Sequence, residues 1–343
     1  MTNYSKDYMM TKMEKLIAIP SPTGYTQQAQ HFLMEELTNL GFAPYTLHKG
    51  GVICCLGGEG DAIMLASHVD TLGAMVTSIK SNGALRATAI GGLNANNVET
   101  ETVTVITRSN GEYEGTFQVE NASTHVNKAV NDARAFDGNL EVLLDEKVFS
   151  EKDTRQLGIE CGDIIAVNPR FTVTKSGYVK SRFLDDKASA AVLLALAKAV
   201  SDGNLMLKRK VYLNFTVYEE VGHGGAAGIP LDVKDMISVD MGCVGAGLNC
   251  KETQVSICAK DSVGPYNYEL VGELIDIAKD NGIDYAVDVY PFYGSDVDRT
   301  LSAGYDIRHG LIGPGVYASH GYERTHVDGL TATYDLLEKY LVK

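Results

Sequence analysis

The sequence predicts an α/β fold in which a sheet domain, made from two separate pieces of the chain, is interrupted by a β-rich module. Helical and strand patterns alternate in both outer pieces, as is typical of α/β domains, whereas residues 74–180 carry short alternating strands and turn signals. The predicted sheet domain therefore comprises residues 1–73 and 181–343, and the β-rich module comprises residues 74–180.

The first piece begins with a helical segment, followed by a second helix and two strands. "TQQAQHFLMEELTNLG" carries apolar residues at helical spacing, and Gly41 ends this helix. Strands are predicted at about 45–57 and 62–67. The second strand, "AIMLAS", is short and wholly apolar, which is typical of the middle of a parallel sheet.

The β-rich module and the second piece follow from the same reasoning. "VTVITRSNGEYEGTFQV" predicts a hairpin around Asn110-Gly111. "DDKASAAVLLALAKAVSDG" predicts an apolar helix closed by Gly203. The remaining elements are predicted as strands at about 210–217, 236–240, 254–259, 284–290 and 306–312, and as helices at about 265–281 and 330–341.

Composition excludes several classes of function. The chain has 343 residues, 45% of them hydrophobic, and a formal net charge of −14. This charge disfavours nucleic acids and anionic membranes as partners, because phosphate binding requires concentrated Lys and Arg. No stretch approaches the roughly 20 apolar residues of a membrane span, so a cytoplasmic location is expected. The six cysteines have no CxxC spacing and are expected to be reduced and buried.

Polar residues with metal-binding side chains follow several of the predicted strands. His68 and Asp70 come directly after "AIMLAS", two residues apart, a spacing that suits an imidazole ligand oriented by a carboxylate. Taken alone, this pattern is more typical of an ordinary strand end or surface position than of a metal site. Asp240 ends another apolar strand, and His320, Glu323 and His326 lie in a loop after the strand "DIRHGLIG".

Two pairs of adjacent acids add to this set. Asp185 and Asp186 precede an apolar helix, where helix capping is the simpler explanation for one of them. Glu219 and Glu220 end a buried strand and precede a glycine-rich turn, and a solvent-exposed loop is the alternative for this pair. A buried pair of carboxylates without cations would have to take up a proton, at a cost of several kcal/mol.

Five of the residues named above can converge at one edge of the sheet. Ligands of open α/β sheets bind beyond the carboxyl ends of the strands, which is where this set falls. Two imidazoles and three carboxylates suit a pair of Zn²⁺, Co²⁺ or Mn²⁺ ions about 3.5–4 Å apart. With Glu220 as a ligand, Glu219 is free to act as general base on a water activated by the cations. The set comprises His68, Asp185, Glu220, Asp240 and His320.

The motifs "SHVD", "LDDK", "YEEVGHGG", "VDMG" and "SHGYE", in this order, resemble the glutamyl-aminopeptidase or tetrahedral (TET) aminopeptidase family of cocatalytic metallopeptidases, some of whose members are labelled endoglucanases. The resemblance implies a zinc-aminopeptidase-like mixed sheet flanked by helices, with a small barrel-like insert. It also implies homo-oligomers, often dodecamers. The long interval between Asp70 and Asp185 favours this family over carboxypeptidase-type relatives, whose insertion follows the paired glutamates.

The resemblance implies a role for each matching residue. His68, Asp185 and Asp240 would bind one metal ion. Asp185, Glu220 and His320 would bind the other. Glu219 would be the general base, Asp70 would support His68, and Asp296, in "YGSDVD", would lie near the substrate pocket. Two features depart from the family pattern: "VYASHGYERTH" stands where the family has arginine-tyrosine before a His-Ser-Pro segment, and Lys187 stands where Arg is common.

The charges predict the substrate. Five carboxylates against two divalent cations leave the pocket slightly negative, which favours short peptides with a free amino terminus. Three alternatives remain open. A metallo-carboxypeptidase or N-acyl amino acid deacylase could use Arg324 to bind a carboxylate, a glycosidase would need two carboxylates without metals, and a noncatalytic metal-binding assembly protein would need no base.

Overall fold

The computed structural model describes residues 1–109 and 111–343, and the chain divides into two compact units. The larger unit contains Met1–Asp70 and Arg170–Lys343, and the smaller contains Thr71–Pro169. Among the described residues, no helix is both long enough and apolar enough to cross a membrane.

The larger unit combines helices with one mixed sheet. Its helices are α1 (Asn3–Ala18), α2 (Gln27–Asn39), α4 (Leu184–Ser201), α5 (Tyr268–Asp280), α6 (Asp296–Ser302) and α7 (Val327–Leu341). Its strands are β1 (Tyr45–Thr46), β2 (Val52–Gly57), β3 (Ala62–His68), β10 (Thr172–Val173), β11 (Tyr178–Ser181), β12 (Val211–Thr216), β13 (Val233–Val239), β14 (Gly242–Val244), β15 (Val255–Lys260), β16 (Tyr285–Val289), β17 (Arg308–Tyr317) and β18 (Glu323–His326).

The middle of this sheet is parallel. The strand order is β1-β2-β12-β3-β13-β17-β18-β11-β10, with β14 and β15 pairing with β17, and β16 pairing with β15. Strand β3 runs parallel to both β12 and β13, and β13 runs parallel to β17. The carboxyl ends of these four strands therefore lie at one edge of the sheet, as the apolar sequence of β3 predicted.

Helix α4 forms the centre of one helical layer. Residues Leu184 to Ala197 of this helix are all buried, which explains why its sequence from Ala190 to Ala197 is wholly apolar. It packs against α1, α7 and strand β3. The apolar face of the sheet and these helices together form one continuous hydrophobic core.

A glycine allows two central strands to approach closely at the functional edge. The backbone N–H of Asp240 donates to the carbonyl of Ile312 at 2.9 Å. A Cβ atom on the next residue, Gly313, would lie 2.0 Å from the Asp240 carbonyl oxygen, well inside van der Waals contact. Only glycine fits at this position, and the fit fixes the backbone that carries Asp240.

The smaller unit is a closed barrel, as the resemblance implied. Its strands are β4 (Gly73–Ile79), β5 (Leu85–Ile90), β6 (Thr102–Ile106), β7 (Glu112–Val119), β8 (Leu140–Leu144) and β9 (Ile164–Val167), and it also contains α3 (Glu151–Gln156). The strands close in the order β4-β5-β8-β7-β6-β9. Strands β6 and β7 pair as the predicted hairpin. Of its predicted turn, Asn110 lies outside the described residues.

The chain returns to the larger unit earlier than the sequence predicted. The unit boundary falls at Arg170, whereas we placed the second piece from residue 181. The reason is strand pairing: β10 pairs with β11, and β11 pairs with β18 of the larger unit. The predicted strand at 45–57 is likewise two strands, β1 and β2, paired antiparallel.

A buried ion-pair group at the opposite end of β13 should make stability depend on pH. Burial alone would raise the pKa of Asp235, but hydrogen bonds from Arg308 and Arg209 outweigh burial and lower this pKa. Since the folded-state pKa is lowered, the stabilisation is present above the unfolded-state value of about 3.9 and is lost as pH falls through the folded-state value.

We therefore expect Asp235→Asn to lower the free energy of unfolding by about 3 kcal/mol at pH 7. This value is at the lower end of the range for breaking a buried ion pair, because both guanidinium groups keep some contact with solvent. The difference between wild type and variant should shrink steadily below about pH 4. Denaturant unfolding of both proteins across this pH range measures the difference in their free energies of unfolding. A difference that does not change with pH would contradict the assignment.

Candidate functional site

The predicted site residues lie at the carboxyl ends of the central parallel strands. His68 is the last residue of β3, and Asp240 follows β13. Glu219 and Glu220 lie in a short 3-10 turn after β12, where Tyr218 has a left-handed φ of 68°. Asp185 lies at the start of α4, and His320 lies in the loop between β17 and β18. All of them belong to the larger unit.

One group of donor atoms is formed by His68, Asp185 and Asp240, all of them buried. Their ligand atoms lie within 4.8 Å of one another, and the His68 Nε2 is 3.1 Å from the Asp185 Oδ1. The His68 Nδ1 lies 3.0 Å from the backbone carbonyl oxygen of Asp70. Because a carbonyl only accepts, this contact places the ring proton on Nδ1 and leaves the Nε2 lone pair for a cation.

A second group is formed by Asp185, Glu220 and His320. The His320 Nε2 lies 3.6 Å from the Asp185 Oδ2 and 3.6 Å from the Glu220 Oε2. Asp185 thus belongs to both groups and presents a different oxygen to each imidazole. Within the described part of the chain, these two groups are the ones whose geometry suits a metal ion.

The spacing of these donor atoms fits a small divalent cation. Ligand bonds of about 2.0–2.1 Å in tetrahedral geometry place neighbouring donors roughly 3.3 Å apart. The distances of 3.1 Å and 3.6 Å between imidazole nitrogens and carboxylate oxygens bracket this value. The mixture of imidazole and carboxylate donors is also the one that Zn²⁺, Co²⁺ and Mn²⁺ accept.

The contacts of the Asp70 carboxylate differ from those expected. We expected it to orient His68, but its Oδ1 is 3.7 Å from the His68 Nδ1, while the backbone carbonyl of the same residue lies closer. The carboxylate instead accepts from the Thr23 hydroxyl at 2.7 Å and from the backbone N–H of Glu219 at 3.2 Å. Asp70 therefore supports His68 through its main chain and the Glu219 turn through its side chain.

Glu219 lies beside the donor groups without belonging to either. Its side chain is 16% exposed, and its Oε2 is 3.9 Å from the His68 Nε2. Glu220, the adjacent acid, is only 4% exposed and faces His320. The turn therefore directs the two neighbouring carboxylates to different positions, Glu220 into a donor group and Glu219 beside the groups.

Several buried carboxylates lie close together at the two donor groups, and their negative charges repel one another. Burial raises the pKa of Glu220 well above its usual range, and the charge of Asp185 adds to the shift. Burial, again with Asp185, raises the pKa of Asp240 to about 7. Burial also raises the pKa of Glu219, and Asp240 adds to the effect. Divalent cations at the two donor groups would offset this repulsion, so the residues present fit such ions.

Asp296, predicted near the substrate pocket, lies beneath the glycine-rich turn. It is 3% exposed, and one carboxylate oxygen accepts from the Thr216 hydroxyl. A Cβ on Gly224 would lie 1.7 Å from the other oxygen, Oδ1, so only glycine permits this contact. Lys49 donates to the carbonyls of His223 and Gly224 on the same turn. These contacts support the turn that carries Glu219 and Glu220.

Other residues named from the sequence lie outside both donor groups. The Asp186 Oδ2 accepts from the Ser67 hydroxyl. His326 caps α7 and bonds the Ser176 carbonyl at 2.8 Å, so its contacts are structural. Arg324 forms a two-point ion pair with Glu252.

Two further residues contact the donor groups and were not identified from the sequence. The Ser319 hydroxyl donates to the Asp185 Oδ2 at 3.0 Å. Tyr293 lies beside Asp240, and its hydroxyl donates to the carbonyl of Met241 at 2.9 Å. A serine next to His320 and a tyrosine in a Gly-containing loop form no sequence pattern that would predict these contacts. These contacts depend on how distant segments pack.

Comparison with known proteins identifies the family. The sequence signature of the M42 glutamyl aminopeptidase family matches residues 50–336. YhfE of Bacillus subtilis (strain 168), named as an aminopeptidase, is 42% identical over 334 residues, which are 97% of this chain and 96% of that protein.

Solved structures share the fold. A TET aminopeptidase from the archaeon Thaumarchaeota archaeon SCGC AB-539-E09 superposes with a TM-score of 0.89 at 19% identity, covering 98% of this chain and 96% of that one. The TET1 peptidase of Pyrococcus horikoshii, which can assemble into a tetrahedron or a large octahedral shell, gives a TM-score of 0.86 at 23% identity, covering 98% and 99%. Together with the family match and the identity to YhfE, these findings show that the chain belongs to the M42 glutamyl aminopeptidase family and is a peptide hydrolase of the aminopeptidase type.

Proposed function

We propose that this aminopeptidase removes residues from the amino end of short peptides using two divalent cations, Zn²⁺, Co²⁺ or Mn²⁺, and Glu219 as general base. The observation that carries this proposal is the position of Asp185. This single carboxylate belongs to both donor groups, while Glu219 lies next to them and belongs to neither. A carboxylate shared by two metal positions, with an unligated acid beside it, suits hydrolysis at a dinuclear centre.

The ligand assignment follows the two donor groups. His68 Nε2, Asp185 Oδ1 and a carboxylate oxygen of Asp240 would hold the first cation. Asp185 Oδ2, Glu220 Oε2 and His320 Nε2 would hold the second. The hydrogen bond from His68 Nδ1 to the Asp70 carbonyl keeps Nε2 directed at the first position.

The chain's own groups supply the proton transfers. When bound, the cations supply Lewis acidity, which polarises a peptide carbonyl and makes water a stronger acid. The Glu219 carboxylate accepts a proton from the attacking water and returns it to the leaving amine. The Asp70 Oδ1, bonded to the Glu219 N–H at 3.2 Å, holds the main chain of the base in place during both transfers.

Charge favours a substrate that presents an ammonium group. Five carboxylates surround the two donor groups and exceed the charge of two divalent cations, so an incoming amino terminus is attracted. Asp70, Asp185, Glu219, Glu220 and Asp240 make up this set. We assign Asp296 a supporting role under the glycine-rich turn in place of contact with substrate, because its carboxyl is buried by Thr216 and Gly224.

The alternatives receive less support. A carboxypeptidase or N-acyl amino acid deacylase needs a cation for the substrate carboxylate, but Arg324, the candidate, is already engaged by both oxygens of Glu252. A noncatalytic metal-binding protein needs no unligated acid at the donor groups, where Glu219 lies.

We also propose that the chain forms homo-oligomers and that the barrel unit contributes to assembly or to substrate access. The fold shared with the assembling TET1 peptidase supports this proposal. Light scattering of the purified full-length protein would test it, and a monomer at micromolar concentration would contradict it.

One experiment tests the proposed reaction. The protein, reconstituted separately with Zn²⁺, Co²⁺ or Mn²⁺, is given matched pairs of short peptides that differ only in a free or an acetylated amino terminus. We expect kcat/KM to fall roughly 10²-fold or more on acetylation, because a charged partner is lost from a desolvated site. Equal cleavage of both peptides would refute recognition of the amino end, and preference for the acetylated one would favour a deacylase.

A further inference from the structure

We propose that Glu323 is a positioning residue whose buried carboxylate holds the backbones of Asp185 and His320, so that both side chains are arranged for the second cation. This inference rests on the proposed function, in which these two residues bind that cation. No step of the reaction passes through Glu323 itself.

The contacts of Glu323 join two distant segments of the chain. The residue is 2% exposed. Its Oε1 accepts from the backbone N–H of His320 at 3.1 Å, and its Oε2 accepts from the backbone N–H of Asp185, also at 3.1 Å. One carboxylate thus fixes the main chain of a residue three positions away and of a residue 138 positions away.

Strand pairing brings Glu323 to this position. Glu323 begins β18 and lies opposite Ser181 of β11. After Ser181 the chain passes through Phe183 and enters α4 at Leu184. The side chain of Glu323 therefore meets the backbone at the entry to α4, where Asp185 donates to it and Leu184 also bonds it.

The main chain that enters α4 needs such an acceptor from elsewhere in the fold. Asp185 (φ −76°, ψ 101°) and Asp186 (φ −122°, ψ 22°) are not in helical conformation, so regular helix hydrogen bonding starts only after them. Phe183, which precedes this segment, has no side-chain acceptor and forms no capping hydrogen bond. The Oε2 of Glu323 supplies the acceptor for the backbone N–H of Asp185.

Both segments that Glu323 holds are also strained. Phe183 has a φ of 67° and His320 a φ of 66°, and neither is a glycine. Residues with side chains adopt this left-handed conformation only where surrounding contacts impose it. Strained backbone next to candidate ligands, fixed by one carboxylate, is the arrangement expected if Glu323 sets the ligand positions.

The chemistry of the contact requires a carboxylate. Both oxygens of Glu323 accept from a backbone N–H, whereas Gln offers one accepting oxygen and one donating NH₂ group. In Glu323→Gln, one of the two N–H groups would therefore face a donor. Asp would keep both acceptors but is one methylene shorter, so it could not reach both segments equally well.

The test is a metal titration of the whole chain. Co²⁺ is added to metal-free wild type, Glu323→Gln and Glu323→Asp, with binding followed by calorimetry and by the visible spectrum of Co²⁺, and thermal unfolding recorded for each metal-free protein. We expect Glu323→Gln to weaken Co²⁺ binding at the group formed by Asp185, Glu220 and His320 by about 10–100-fold, the range for loss of a residue that orients a ligand. The Co²⁺ affinity of Glu323→Asp should lie between that of Glu323→Gln and that of wild type.

The control separates positioning from general loss of a buried carboxylate. Glu36 is also largely buried and is bonded by Tyr8 and Lys12, away from the donor groups. Glu36→Gln should lower thermal stability and leave both Co²⁺ affinities within about twofold of wild type. Unchanged Co²⁺ binding in both Glu323 variants would overturn the inference, whatever their stability. Absence of peptide cleavage by wild-type protein would instead refute the proposed function, so the two failures are distinguishable.

Discussion

Replacing Glu219 with Gln should reduce kcat by about 10²–10⁴-fold while both cations stay bound, the range contributed by general acid–base catalysis. Gln has the shape of Glu but cannot accept the proton of the attacking water. Glu219 belongs to neither donor group, and its backbone N–H, which bonds the Asp70 Oδ1, is unchanged by the substitution. Metal analysis of the purified variant and steady-state kinetics on a free-amine peptide measure the two quantities.

Glu220→Gln is the matched control for this prediction. The two glutamates are adjacent, but Glu220 lies 3.6 Å from the His320 Nε2 and belongs to a donor group. This second variant should lose affinity for one cation, which Glu219→Gln should not. A Glu219→Gln enzyme with wild-type kcat would show that another group accepts the proton.

Replacing Asp185 with Asn should weaken the binding of both cations and abolish measurable cleavage. Its two oxygens serve different groups, one 3.1 Å from the His68 Nε2 and the other 3.6 Å from the His320 Nε2. Loss of a residue that merely orients a ligand costs 10–100-fold in metal affinity, so loss of a shared ligand should cost more than about 10²-fold. Metal content after dialysis against metal-free buffer is the measurement.

Two variants control for this result. Asp240→Asn should weaken the first cation more than the second, because Asp240 belongs to one group only. Asp202→Asn, at the opposite end of the same helix, removes only an ion pair with Lys198 and should keep both cations. Retention of two tightly bound ions in Asp185→Asn would rule out the shared ligand.

Much of the fold and the site could be predicted from particular residues. The apolar run "AIMLAS" predicted a central parallel strand, and β3 is paired in parallel on both sides. Because parallel strands end at the same edge, residues following these strands could be expected to meet. His68, Asp240 and Glu220 do meet there with Asp185 and His320. Glu219 lies beside them.

Hydrogen-bond partners could not be predicted in the same way. The sequence places Asp70 two residues from His68, but spacing does not say whether its carboxylate or its carbonyl faces the ring. Glu323 looked like one more polar residue of the loop, and its partner Asp185 is 138 positions away. The unit boundary at Arg170 depended in the same way on the pairing of β11 with β18.

The sequence by itself determined the alternation of helices and strands, the kinds of side chain at the strand ends, and hence the chemistry available to the site, because these follow from local periodicity and residue type. Only the tertiary structure decided which oxygen of Asp185 faces which imidazole, which part of Asp70 supports His68, and which carboxylate bonds the Asp185 N–H. Those choices depend on distances of a few ångströms between segments far apart in the chain, and no local pattern encodes them.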